Sequence, residues 1–148
     1  LGASRVAGEQ ADFLAVSSSE ARLRLVQAIV LDPSCSGSGT TFFQHDTCSP
    51  ALYASSQQQL LQHAMSFSQA LAIVYSTCSI CDEENEGVVA FALRSCTGWR
   101  LHPALPVWPR RGNESCGLLP EEAVCCLRFC PRRDRTSGFF IALFVRKT

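Results

Sequence analysis

The chain has 148 residues, 47% of them apolar, and its 13 basic and 13 acidic side chains cancel. That length and apolar content suit one globular domain with a buried core and argue against disorder. The longest apolar runs, such as Ala28 to Leu31 and Phe139 to Val145, are strand-sized and far short of the roughly 20 residues that span a bilayer.

The zero net charge hides an asymmetry. Residues 1–93 carry three Arg against nine acids, whereas residues 94–148 carry nine Arg and one Lys against four acids. A basic final third points to a polyanionic partner. Arginines on solvated loops are the competing reading, because Arg110, Arg111, Arg128, Arg132, Arg133 and Arg135 fall in or beside loop-like sequence. There are nine cysteines, an odd number, and no segment has the basic-then-apolar layout of a secretion signal. A secreted disulfide scaffold would be shorter and poorer in aliphatic runs, so most of these thiols are expected to behave as small hydrophobes. The chain starts at Leu1 and not at a methionine, and residues 1–11 and Ser17-Ser18-Ser19 read as connecting segment. The expectation is therefore a piece of a longer protein.

In chain order, Asp12 to Val16 reads as a short strand or strand-to-helix approach. Val26 to Leu31 is a stronger strand, apolar on both faces, as in a parallel sheet with helices on either side, and it stops at Asp32-Pro33. A small-residue loop, Ser34 to Gly39, follows. Ser49-Pro50 starts a helix with an apolar stripe at Leu60, Leu61, Ala64 and Met65. Leu71 to Ser76 is a second buried strand. Ser79 is placed to cap a helix with Asp82, Glu83, Glu84 and Glu86 in its solvated first turns, Val88, Val89, Ala92 and Leu93 on its core face, and Gly98 at its end. Four prolines and two glycines make residues 99–123 a long irregular loop. Val124 to Phe129 and Phe139 to Val145 are strands joined closely enough for an antiparallel hairpin. The order defines an α/β fold, an open sheet with an antiparallel C-terminal edge.

In such a sheet ligands bind beyond the carboxyl ends of the strands. Asp32-Pro33-Ser34-Cys35 and Ser76-Thr77-Cys78-Ser79 each follow directly on a strand, so two thiols and a carboxylate should converge there. A thiolate is a suitable nucleophile for an electron-poor ring carbon. Taken without further context, both cysteines also fit buried structural positions, and Asp32 fits a turn former before proline.

These residues resemble the Nop/Sun family of RNA cytosine-5 methyltransferases. The resemblance rests on Asp32-Pro33-Ser34-Cys35-Ser36-Gly37-Ser38-Gly39, on Ser76-Thr77-Cys78-Ser79, on Glu83-Glu84-Asn85-Glu86 and on Ser137-Gly138-Phe139-Phe140, in that order. It covers residues 12–148. The Pro-Ser-Cys spelling and Asp12 to Ser17 look most like the subfamily that modifies large-subunit ribosomal RNA. The resemblance implies a Rossmann-like sheet, S-adenosylmethionine as methyl donor, RNA as partner and a nuclear or nucleolar place of action. It also implies that Cys78 adds to carbon 6 of cytosine, that Cys35 helps release the product, and that Asp32 lies near cofactor and cytosine. Asp12 would meet the adenine, and Arg132 and Arg133 would hold RNA phosphates.

The family's glycine-rich cofactor loop and ribose-binding acid should precede Asp12, where only eleven residues stand. Residues 1–148 are therefore expected to form a single partial catalytic domain lacking its N-terminal strands, inactive alone and with an uncovered sheet edge. Glu83, Glu84 and Glu86 are expected in solvent, and His45, His63 and His102 at the surface. Two other readings compete: a thiol redox site at Cys78-Ser79-Ile80-Cys81, and a non-catalytic RNA-binding remnant. A zinc site joining Cys78 and Cys81 to Cys125, Cys126 or Cys130 lacks a second paired spacing.

Overall fold

The computed structural model describes residues 4–40 and 49–147. His45 and Cys48 lie outside them. Five strands form one mixed sheet: β1 (Ala28–Leu31), β2 (Ala72–Thr77), β3 (Trp99–His102), β4 (Leu127–Phe129) and β5 (Phe139–Arg146). β1 and β2 are parallel, in the register Ala28↔Ala72 to Leu31↔Tyr75. β5 runs antiparallel to β2 along one edge, while β3 and β4 share its other edge end to end.

The crossover from β1 to β2 contains helix α1 (Pro50–Met65), which starts where expected. Ser49 Oγ accepts the Ala51 N–H at 3.3 Å and proline occupies the first turn. Its packed face is Ala54, Gln57, Leu61, Ala64 and Met65. Helix α2 (Glu86–Ser95) buries Val88, Val89, Ala90 and Ala92 and packs on α1. On the sheet, Ile73 and Tyr75 of β2 are in register with Phe144 and Ala142 of β5, and all four are fully buried. Phe140 and Trp99 extend this core.

Several elements depart from the sequence reading. Asp12 to Val16 is neither strand nor approach to a long helix but a 3₁₀ turn, Phe13–Ala15, capped by Asp12. α2 begins at Glu86, not after Ser79, because residues 82–85 form turns that pull Glu84 and Asn85 inward, and it ends at Ser95, before Gly98. Residues 99–123 are not one irregular loop: they include β3, whose Trp99 and Leu101 turn inward, and helix α3 (Pro120–Ala123). β4 is only three residues long, and helix α4 (Pro131–Asp134) lies in its connection to β5. β1 is not covered on both faces: Val30 is 75% exposed, while its in-register neighbours Val74 and Leu143 are half-buried. β1 is an edge strand, with no strand on its outer side among the described residues. His63 is half-buried, its Nε2 3.0 Å from the Val16 carbonyl and its ring edge-on to Phe13. Among the described residues no helix is long and apolar enough to cross a membrane.

Candidate active site

Because β1 and β2 are parallel neighbours, the loops that leave their carboxyl ends meet. Cys35 Sγ and Cys78 Sγ lie 3.0 Å apart, as free thiols. Asp32 is exposed beside them, and its Oδ1 accepts the Ser76 hydroxyl at 3.0 Å. Burial, followed by the hydrogen bond to Cys78, pushes the Cys35 thiol up to about 11. Either sulfur can donate in this contact.

The backbone brings the loops closer than side chains would allow. The Gly39 N–H donates to the Cys78 carbonyl at 2.9 Å, and the Gly138 N–H donates to the Gly39 carbonyl at 2.8 Å. A Cβ on Gly39 would sit 2.5 Å from the Gly138 carbonyl oxygen and 2.8 Å from that of Cys78. Glycine is required here for close approach.

Below the thiols lies a buried polar network, where the sequence reading of the acids needs correction. Glu84 and Glu86 are fully buried, not solvated; Glu83 alone of the three is exposed. Glu84 Oε2 accepts the Ser36 N–H at 2.9 Å and the Gln57 amide at 3.1 Å, and Glu84 Oε1 accepts the Ser79 hydroxyl at 2.7 Å. The Tyr75 hydroxyl donates to the Glu84 carbonyl at 2.7 Å, and burial together with the Glu84 charge holds this phenol well above its ordinary range. Glu86 pairs with Arg128, which also reaches Asp82 at 2.5 Å and the Ile80 carbonyl at 3.0 Å. A buried carboxylate is tolerable only with such partners.

Arg128 is thereby a structural residue, not a solvated loop arginine. Arg110 is spoken for as well, its Nε donating to Asp134 at 2.6 Å, and Arg111 donates to the carbonyls of Ala104, Leu105 and Pro106. Arg132 and Arg133 are exposed, with no ion-pair partner among the described residues. They line a cleft of about 500 Å³ with Ser38, Ile80, Arg110 and Arg111. Ser38 and Ile80 belong to the two cysteine loops, so the cleft reaches those loops, although neither Cys35 nor Cys78 lines it. Asp12 is on another side of the molecule's packing, where its Oδ1 accepts the Leu14 N–H at 3.0 Å and Phe13 stacks on Phe67 of the segment after α1.

Sequence reasoning missed Glu84, Gln57 and Arg128. The run Glu83-Glu84-Asn85-Glu86 was the available signal, since adjacent acids near an apolar segment either face water or need buried donors.

The nearest sulfur to Cys78 is that of Cys35, and Cys81 instead contacts Ser38 Oγ at 3.6 Å, an arrangement unlike a paired Cys-x-x-Cys. Among the described residues no three His, Cys, Asp or Glu side chains gather to hold a metal. Paired cysteine loops at the carboxyl ends of parallel strands, with an antiparallel strand closing the sheet, fit the Rossmann-like methyltransferase class of fold. Residues 4–145 match the family model described as 16S rRNA methyltransferase RsmB/F, and the chain belongs to that family. A 28S rRNA (cytosine-C(5))-methyltransferase of Mus musculus is 46% identical over 144 residues, which cover 91% of this chain and 30% of the mouse protein. Among solved structures, a methyltransferase homolog protein from Pyrococcus horikoshii superposes with a TM-score of 0.66 at 31% identity, covering 82% of this chain and 40% of that one. NSun6 from the same organism, solved with SFG, gives 0.62 at 29% identity, covering 79% and 29%. The chain spans less than half the length of the curated relatives it matches first.

Proposed function

We propose that this chain performs the cytosine chemistry of an S-adenosylmethionine-dependent RNA cytosine-5 methyltransferase that acts on large-subunit ribosomal RNA. The observation that carries this reading is the 3.0 Å approach of Cys35 and Cys78, beside Asp32, at the ends of two parallel strands. Cys78 Sγ, at the carboxyl end of β2, adds to carbon 6 of the target cytosine and makes carbon 5 nucleophilic. S-adenosylmethionine, when bound, supplies the methyl group. After carbon 5 loses its proton the bond from carbon 6 to Cys78 breaks, and Cys35, in contact with the departing sulfur, assists that release. The exposed Asp32 carboxylate fits the cationic methionine end of the cofactor and the amino edge of cytosine, and it is oriented by Ser76. Asp12, the carboxylate proposed for the adenine, is exposed and already caps a turn. The base must leave its stack to reach the thiols, and Arg132 and Arg133 then hold flanking phosphates.

The test is a chimera in which this chain replaces the matching stretch of the mouse relative. With RNA and S-adenosylmethionine it should form 5-methylcytosine. Its Cys35→Ala form should accumulate a covalent RNA adduct on a denaturing gel, and its Cys78→Ala form should yield none. The reverse pattern overturns the assignment of roles.

A further inference from the structure

The two thiols face each other across loops that are separate in sequence; besides the backbone contacts at Gly39 and the hydroxyl contacts of Ser79 with Ser36 and Ser38 at 3.2 and 3.1 Å, one buried carboxylate joins both. Ser36, the residue after Cys35, gives its backbone N–H to Glu84 Oε2; Ser79, the residue after Cys78, gives its hydroxyl to Glu84 Oε1. One planar carboxylate thus holds one cysteine loop on each oxygen. Gln57 of α1 fixes the assembly from below, because its amide bridges Glu84 Oε2 and the Ser34 carbonyl at 3.1 and 3.0 Å. Tyr75 locks the opposite side by donating to the Glu84 carbonyl, and it also lies 3.2 Å from Gln57 Oε1. Glu84, Gln57 and Tyr75 are all fully buried.

We propose that Glu84 is a positioning residue that sets the separation and mutual orientation of Cys35 and Cys78 by clamping the residue that follows each of them. Its part in catalysis rests on the methyltransferase reading above; its control of the thiol pair does not. Three donors point at its two oxygens, and a glutamine there would keep one accepting oxygen and turn the other limb into a donor. A misplacement of the order of 1 Å at a reacting pair is enough to cost about two powers of ten in rate.

The decisive measurement is made on this chain with dibromobimane, in which each of two nearby thiols displaces one bromide, with no change of oxidation state. Formation of the Cys35–Cys78 cross-link is followed by peptide mapping. Glu84→Ala should lower its rate by about tenfold or more, and Glu84→Gln by less, since it keeps one accepting oxygen. Phe144→Leu, at the far end of the β2–β5 pairing from the thiols, lowers stability and should leave the rate unchanged. If Glu84→Ala does not fold, Ser79→Ala removes the Oε1 limb, together with the hydroxyl's contacts to Ser36, Ser38 and the Cys81 N–H, and should still slow cross-linking. A folded Glu84→Ala or Ser79→Ala that cross-links at the parental rate overturns the proposal. In the chimera, Glu84→Gln should reduce kcat while the KM for RNA stays constant; a rise in KM with kcat unchanged also overturns it. A parental chimera without methyl transfer refutes the proposed function, and the cross-linking rates still decide the role of Glu84.

Discussion

Gly39→Ala is the most direct test of how the cysteine loops are packed. The added methyl group would lie 2.5 and 2.8 Å from two carbonyl oxygens, those of Gly138 and Cys78. Both are backbone atoms in a closed contact, so relief requires one loop to move by most of an ångström, not a rotamer change. Overpacking of this kind costs about 1–3 kcal/mol. The same movement stretches the Gly39 N–H bond to the Cys78 carbonyl, which adds about 1 kcal/mol. For a chain of this length the sum, about 2–4 kcal/mol, corresponds to a Tm lower by roughly 4–16 °C. Thermal unfolding followed by circular dichroism measures it, with Gly98→Ala as control, since a Cβ there meets nothing within 4 Å. A Gly39→Ala chain that melts with the parent would show that the loops are not held in contact through Gly39, and the account of the glycines would be wrong.

Arg128→Met should destabilise the chain by about 3–5 kcal/mol in denaturant titration, because it strands the fully buried Glu86 carboxylate. A midpoint equal to the parent's would show that the pair is not needed. Cys130 and Cys126 should part in iodoacetamide labelling. Backbone amides of Arg132 and Arg133, with the Arg133 charge, hold the Cys130 thiol below its ordinary range, whereas burial and then Glu86 push Cys126 up. As pH rises, labelling of Cys130 should therefore reach half its plateau below the usual thiol range near about 8.5, with Cys126 inert throughout; equal profiles contradict this account of their surroundings. Replacing Arg132 and Arg133 together by Glu should weaken RNA binding in filter assays and reduce its salt dependence, with Tm unchanged. Undiminished binding would remove both residues from the RNA surface.

The sequence was informative where one local rule decides the structure. The apolar runs of β1, β2 and β5 specify strands, Ser49-Pro50 specifies the start of α1, and parallel pairing of two strands that each end in a cysteine loop is enough to bring Cys35 to Cys78. It was uninformative where the partner is remote. No local pattern tells that Arg128 lies against Glu86, or that Ser36 and Gln57 converge on Glu84, so acids that are buried in the fold look solvated in the sequence. β3 was missed because four residues, Trp99 to His102, are too few for alternation to stand out before a proline-rich stretch.

β5 takes part in three of the four strand pairings of the sheet. Among the described strands, β1 and β2 can pair only with each other until β5 is made, and a two-stranded sheet is marginal in water. Every other pairing waits until Phe139–Arg146 has emerged and threaded between strands made long before it. Assembly is therefore dominated by contacts distant in sequence, which makes folding slow and leaves apolar strands exposed in the nascent chain. A premature stop at Phe139 would remove three of these four pairings while leaving both cysteine motifs in the sequence.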